Sequence, residues 1–316
     1  RYALVYLGAI AAGGCAAPLT TSATPQQLAA MMTDSGAGHL FIDHIKRAEL
    51  ADSGVALPAL KHVMMDAADD SDDAAFLFDW MAAEGATPVD VDTGPNDRYN
   101  IIYSSGTTGT PKGIVHSRQM RWYQMAVGEE SGLGQPGQVT LLSTPMYSNT
   151  TLGIFVATVA YGGTAVVMRK FDCARWLELA QQHRASHTIL VPVQYQRLMD
   201  FPQFDEYDLS SMALKYCTSA PFSAELKAQV VRRMPGALIE IYSMTEGGVV
   251  YLHRDASLDV LEACAAHGLS NSGGQAAHRV EATRLARVRR AVQPVVRRSG
   301  AARVLDVDRE ENFVVP

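Results

Sequence analysis

Strand-like and helix-like segments alternate along this chain, and that alternation is the strongest constraint on its fold. The apolar runs His39-Leu-Phe-Ile-Asp43, Leu60-Lys-His-Val-Met-Met65, Val139-Thr-Leu-Leu142, Thr164-Ala-Val-Val-Met168, His187-Thr-Ile-Leu-Val191 and Leu238-Ile-Glu-Ile-Tyr242 are short. Their length and β-branched content fit strands buried in a layered core. Between them lie helix signals. Thr24-Pro-Gln-Gln27 has the pattern of a capping box with proline at the first helical position, Leu28, Met31 and Met32 then share one face, and Gly36 is the expected stop. An acidic helix start is expected at residues 69–73, where it would suit the helix dipole. Asp172 is expected to cap a helix ending near Ala185, and Ser223 the next one. Such alternation implies an α/β fold of layered, mostly parallel sheets with flanking helices. In sheets of that kind ligands collect beyond the C-terminal ends of the strands.

One loop carries the clearest chemistry. The stretch Tyr103-Ser-Ser-Gly-Thr-Thr-Gly-Thr-Pro-Lys-Gly113 directly follows the apolar run Tyr99-Asn-Ile-Ile-Tyr103. Backbone N–H groups freed by glycines, together with hydroxyls, can turn inward around a polyanion, and Lys112 adds a compact positive charge. The spacing is not that of a Walker A loop, because Gly106 and Gly109 are too close and Pro111 precedes Lys112. A Ser/Gly linker is the plain alternative, but linkers rarely follow an apolar strand directly. Phosphate binding is the expectation.

Two further segments point the same way. Tyr242-Ser-Met-Thr-Glu246 follows a predicted strand, and Thr218-Ser-Ala-Pro221 is a third, weaker segment. With the loop, these resemble the signature elements of the adenylate-forming superfamily of acyl-CoA synthetases, aryl-CoA ligases, luciferases and peptide-synthetase adenylation domains. They stand in that family's order, and the resemblance runs from the first residues to about Leu252. It implies the family's large N-terminal domain and the AMP-forming activation of a carboxylic acid, fatty or aryl. An acyl-adenylate forms first and an acyl-CoA thioester second, with ATP, Mg2+ and coenzyme A required.

The resemblance also implies roles for particular residues. Ser104, Ser105, Gly106, Thr107, Thr108, Gly109 and Lys112 would hold the ATP phosphates. Ser219, Ala220 and Pro221 would line one adenine face and Tyr242 the other, with Ser243 beside them. Thr245 would meet the α-phosphate and Glu246 the Mg2+, helped by Thr108; Lys112, Thr245 and Glu246 are thus the expected catalytic groups. Mg2+ needs only one or two protein carboxylates when phosphate oxygens complete its shell. A helix N-terminal acid is the alternative reading of Glu246. At Pro145-Met-Tyr-Ser-Asn149 many acyl- and aryl-CoA ligases carry Pro-Met-Phe-His, so Ser148 stands where their histidine meets the substrate carboxylate. Tyr147, Ser148, Asn149, Gly247 and Gly248 are the candidate pocket walls. No aspartate occurs in residues 139–168, so the partner that an amino-acid substrate needs for its α-amino group is missing. His116 is expected at a helix start in a structural or solvated role.

The rest of the composition narrows partners. A net charge of −6 in 316 residues argues against nucleic acid or an anionic membrane as main partner. Cys15, Cys173, Cys217 and Cys264 are scattered without metal or disulfide spacing, as in a cytoplasmic protein with reduced thiols. The nine histidines show no ligand clustering. Residues 3–15 imitate a secretory or lipoprotein signal, yet they also resemble the family helix that leads through Gly13-Gly14 into Ala16-Ala-Pro-Leu19. No apolar run reaches the ~20 residues of a membrane span. The oligomeric state is left open by the sequence.

Two regions are therefore expected: residues 1–252, a partial adenylate-forming domain, and residues 253–316, an Arg/Ala-rich tail foreign to it. The last lysine is Lys227, and residues 279–303 hold eight arginines. The family's next element, Thr-Gly-Asp, and its lysine-bearing small domain have no match here. A nucleotide-binding remnant with impaired catalysis is the second expectation.

Overall fold

A computed structural model describes residues 1–66, 74–104, 111–132, 134–252, 302–307 and 311–315. The chain divides into two units, Arg1–Arg121 and Trp122–Pro316.

The first unit opens with α1 (Tyr2–Ala11) and α2 (Pro25–Ser35), followed by β1 (His39–Ile42), α3 (His44–Asp52) and β2 (Lys61–Met64). The expected capping box begins α2: the Thr24 side chain accepts from Gln27 N, and Gln27 Oε1 accepts from Thr24 N at 3.0 Å. Gly36 ends the helix in the left-handed conformation, φ 62°. Leu28, Met31 and Met32 pack with Ile42, Leu50 and Met64 into one apolar cluster. β1 is less buried than its apolar run implies, since only Ile42 is closed off from solvent. The helix start expected at 69–73 lies outside the described residues. The chain resumes as a strand, β3 (Ala74–Phe76), with the single-turn α4 (Leu77–Trp80) after it. β1, β2 and β3 form a parallel sheet in that order. β4 (Arg98–Ser104) and β5 (Lys112–Ser117) then form an antiparallel pair. α5 (Arg118–Ser131) carries the boundary between the units.

The second unit is a βα series: β6 (Val139–Leu142), α6 (Asn149–Ala160), β7 (Thr164–Val167), α7 (Cys173–Gln182), β8 (His187–Leu190), α8 (Pro192–Met199), β9 (Leu214–Cys217), α9 (Ala224–Arg233) and β10 (Ala237–Met244). β11 (Gly247–Leu252) returns as a hairpin, and β12 (Ala302–Asp306) and β13 (Glu311–Val315) form another. The sheet order is β11-β10-β9-β8-β6-β7-β12-β13. Its six inner strands are parallel and the two outermost antiparallel. All four residues of β8 and of β9 are buried, as strands covered on both faces must be.

Caps fall where the sequence places them. Asp172 Oδ1 accepts from Arg175 N at 3.0 Å to start α7, which ends at Gln182, three residues before the expected stop at Ala185. Ser223 Oγ accepts from Leu226 N at 3.2 Å to start α9. The core brings Trp176, Tyr195, Phe204 and Phe222 together with Leu141, Val166 and Leu190. Burying one such side chain is worth ~1.5–3 kcal/mol.

Residues 302–306 belong to the stretch expected as a foreign tail, yet they form β12, parallel to β7, with Ala302 and Val304 buried. This part is packed because alternate apolar residues meet the open edge of the sheet. Residues 253–301 lie outside the described residues. Among those described, no helix is long and apolar enough to cross a membrane.

Candidate functional site

In the first unit the β4–β5 hairpin frames the phosphate-type loop. Ser105, Gly106, Thr107, Thr108 and Gly109 lie outside the described residues, but both ends of the loop are defined. Ser104 stands opposite Lys112, and Tyr103 opposite Gly113. The Tyr103 hydroxyl donates to Asp34 Oδ2 at 2.7 Å and lies 3.0 Å from the Met31 carbonyl oxygen, tying the hairpin to α2. Burial, and then the Asp34 carboxylate, push the Tyr103 phenol well above its usual range. Gly113 leaves space that a side chain would need: a Cβ there would stand 3.0 Å from both Asp34 Oδ2 and Ile101 Cγ2. Lys112 is exposed at the first position of β5.

The lower half of that hairpin is held by a buried polar group that motif reading misplaces. His116 lies inside β5 rather than at a helix start, and it is fully buried. Arg121, 1% exposed, donates from Nε to Asn100 Oδ1 at 3.1 Å, and its Nη2 lies 3.0 Å from His116 Nδ1. His116 Nδ1 also lies 3.1 Å from Asn100 Oδ1, so the three side chains close on one another. Burial lowers the Arg121 pKa, but the fork geometry keeps its donors occupied.

In the second unit, three predicted segments emerge beyond the C-terminal ends of parallel strands: 143–149 after β6, 218–221 after β9, and 245–246 after β10. Ser219 adopts φ 75°, a left-handed conformation uncommon for a residue with a side chain. With Ala220 and Pro221 it is exposed, whereas Thr218 and Phe222 on either side are buried. Phe222 stacks on Tyr195, ring centroids 5.4 Å apart, and the Tyr195 hydroxyl donates to the Tyr216 carbonyl at 2.9 Å. The turn is thus pinned from below and open above.

Ser243 and Met244 extend β10 beyond its expected end at Tyr242, with a register shift between them. Thr245 and Glu246 form the turn into β11, which begins with Gly247 and Gly248. Glu246 is exposed in a hairpin turn and not at a helix N-terminus, which removes the dipole reading of that residue. Its carboxylate suits Mg2+ as one protein ligand beside phosphate oxygens. Among the described residues no group of three or more His, Cys, Asp or Glu could hold a metal alone.

Ser148 serves as the N-cap of α6, its Oγ accepting from Thr150 N at 3.3 Å. The Ser148 hydroxyl therefore has a local structural task. Next to it, Asn149 Oδ1 is buried without a hydrogen-bonding partner among the described residues, as is Ser143 Oγ. Thr150 Oγ1 lies 3.1 Å from Ser219 Oγ, so the start of α6 meets the turn after β9.

Sequence reading overlooked two buried lysines in the β9–α9–β10 crossover. Lys215, 0% exposed on β9, donates to the carbonyl oxygens of Met234 (3.1 Å), Pro235 (2.6 Å) and Gly236 (2.6 Å) at the end of α9. Burial pulls its pKa from 10.5 to about 7. Gly236, at φ 81°, permits this convergence, because a Cβ there would collide with the Met212 carbonyl. Lys227 on α9 pairs with Glu240 on β10 at 2.6 Å, both nearly closed to solvent. A lysine in an otherwise apolar strand run, as at 215, and a glutamate in Leu238-Ile-Glu-Ile-Tyr242 were the available signals.

With this fold and these segments in view, the chain belongs to the AMP-binding enzyme family, whose sequence profile matches residues 1–282. It is 28% identical over 262 residues to a 4-coumarate–CoA ligase of Oryza sativa subsp. japonica, covering 79% of this chain and 46% of that protein. It is 30% identical over 244 residues to a medium/long-chain-fatty-acid–CoA ligase of Mycobacterium tuberculosis, covering 70% and 39% respectively. Among solved structures, ATP-bound MatB from Rhodopseudomonas palustris superposes with a TM-score of 0.65 at 27% identity, over 80% of this chain and 50% of that one. The chain thus spans about half the length or less of these proteins.

Proposed function

We propose that this chain carries the nucleotide- and acid-binding part of an AMP-forming acid–thiol ligase. The substrate carboxylate attacks the α-phosphorus of ATP, the bond to the β-phosphate oxygen breaks, and pyrophosphate leaves. The coenzyme A thiolate then attacks the acyl carbonyl and AMP departs, leaving the thioester. The observation that carries this reading is the placement of the 218–221 and 245–246 segments beyond adjacent parallel strands β9 and β10, where an α/β sheet receives its ligand.

In this reading Ser219, Ala220 and Pro221 line the adenine with Tyr242, and Thr245 meets the α-phosphate. The loop 104–109 with Lys112 holds the β- and γ-phosphates. Mg2+, held by Glu246, Thr108 and ATP oxygens, would neutralise charge on the phosphates. The protein's part is positioning and charge neutralisation.

For the acid we propose a fatty or aryl carboxylic acid, with Tyr147, Asn149, Gly247 and Gly248 as pocket walls. The absence of any acidic residue from 139 to 168 disfavours an α-amino acid, whose buried ammonium would lack a partner. Ser148 is better assigned to capping α6 than to the substrate. Activity in the cytoplasm is part of the same proposal.

Pyrophosphate release with MgATP, measured against a panel of fatty, aryl and amino acids, tests this function. Acid-dependent release is expected. MgATP binding without release for any acid would favour the nucleotide-binding remnant, and no MgATP binding by folded protein would end the reading.

A further inference from the structure

The Lys227–Glu240 pair lies between the two segments assigned to the nucleotide. Glu240 is the parallel-register partner of Cys217, the residue before Thr218, and stands two positions before Tyr242. Lys227 sits in the first half of α9, and its ammonium lies 5.7 Å from the centroid of Phe222, the residue after Pro221. One ion pair thus adjoins the exits of both strands. The Cys217 thiol registers it: burial first, then Glu240, push the thiol up, while Lys227 pulls it down.

Stability alone does not account for such a pair. Two charges removed from water cost several kcal/mol each, and apolar replacements of similar volume are often neutral or stabilising. Lys227 is 4% and Glu240 7% exposed, and although the two charges approach to 2.6 Å, neither Lys227 Nζ nor Glu240 Oε2 makes a hydrogen bond among the described residues. What the charge contact adds over apolar packing is mutual constraint, because in a low-dielectric interior each charge holds the other at close range while apolar groups can slide.

We propose that Lys227 and Glu240 are positioning residues for the nucleotide: their ion pair fixes α9 against β10 and thereby holds the 218–221 turn and the 242–246 segment in one mutual arrangement. Neither residue touches the nucleotide. The inference rests on the nucleotide reading of those two segments, and its test is arranged so that the two can fail separately.

The test compares wild type, the apolar pair Lys227→Met/Glu240→Leu, the reversed pair Lys227→Glu/Glu240→Lys, and Glu240→Asp, which keeps the charge but shortens its reach. Two readouts are taken on the full chain: MgATP affinity by calorimetry, and amide hydrogen exchange resolved by segment. The apolar pair is expected to keep its thermal stability, bind MgATP roughly tenfold or more weakly, and exchange amides of 218–220 and 243–246 roughly tenfold faster, with β8 unchanged. Glu240→Asp should show a smaller loss in both readouts, and the reversed pair should recover much of it. Should the apolar pair fail to fold, Glu240→Asp and the reversed pair decide the matter. Wild-type affinity and exchange in the folded variants would overturn the proposal. If folded wild type binds no MgATP, the nucleotide reading falls; unchanged exchange in the two segments would then overturn the positioning role as well, and faster exchange would uphold it.

Discussion

The side-chain hydroxyl of Thr150 lies 3.1 Å from that of Ser219, joining the first turn of α6 to the turn that follows β9. Ser219 holds this position in a left-handed backbone, φ 75°. Non-glycine residues occupy that region at a cost, and β-branched ones at a greater cost. Ser219→Gly should therefore leave the denaturation midpoint unchanged or slightly raised, the relieved backbone offsetting the lost hydroxyl contact. Ser219→Val should lower stability by about 1–2 kcal/mol. Chemical denaturation of the two variants checks this; equal destabilisation would show the backbone conformation to be immaterial.

Lys112 is exposed at the end of the β4–β5 hairpin loop, and Glu246 is exposed in the β10–β11 turn. If they meet ATP phosphates and the magnesium ion, Lys112→Ala and Glu246→Gln each remove a charge-assisted contact worth ~1.5–3 kcal/mol, or about ten- to a hundredfold in affinity. Since both are exposed, fold stability should barely change. Calorimetric titration of MgATP into each variant reads the effect, and unchanged affinity in both would remove these residues from the site.

No carboxylate lies between residues 139 and 168 to receive an ammonium. Pyrophosphate release should be faster with at least one fatty or aryl acid than with any free amino acid. The converse ranking in a substrate panel would show that the ammonium finds a partner elsewhere.

Lys215 links protonation to stability. Its folded pKa is lowered by burial, from 10.5 to about 7. A depressed lysine pKa means that the unfolded chain binds more protons between pH 7 and about 10.4, so stability rises with pH across that window. Lys215→Met lacks this dependence and also leaves three carbonyl oxygens at the end of α9 without their donor. The stability difference between wild type and variant should widen from pH 7 to pH 9, by at most about 1.4 kcal/mol per pH unit. Urea denaturation at the two pH values measures it, and a pH-independent difference would show that Lys215 stays protonated throughout.

Motifs set by neighbours in sequence are legible in the chain itself. The capping box at Thr24 and Gln27, the caps at Asp172 and Ser223, and the strands β6, β7, β8 and β10 depend on hydrogen bonds or apolar periodicity within a few residues. The α/β alternation, and with it the mostly parallel sheet, follows from those local signals. The likeness of three short segments to the adenylate-forming family is legible for the same reason: ligand loops at strand ends are contiguous in sequence.

Other features require partners distant in sequence. His116 reads alone as a residue at a helix start, but the hairpin sets it beside Asn100 and Arg121. The alternative reading of Glu246 as a helix N-terminal acid ends only where β11 turns back on β10. Residues 302–306 fall by composition in an Arg/Ala-rich tail, yet β7 offers them a strand edge with matching register. Lys215 and Glu240 interrupt apolar runs in the sequence, but nothing near them or near Lys227 in the chain names their partners. Only the crossover packing of β9, α9 and β10 excludes water from them and supplies three carbonyls to one and an opposite charge to each of the others. A side chain's tolerance of burial depends on the groups that meet it, and that meeting is decided by tertiary packing.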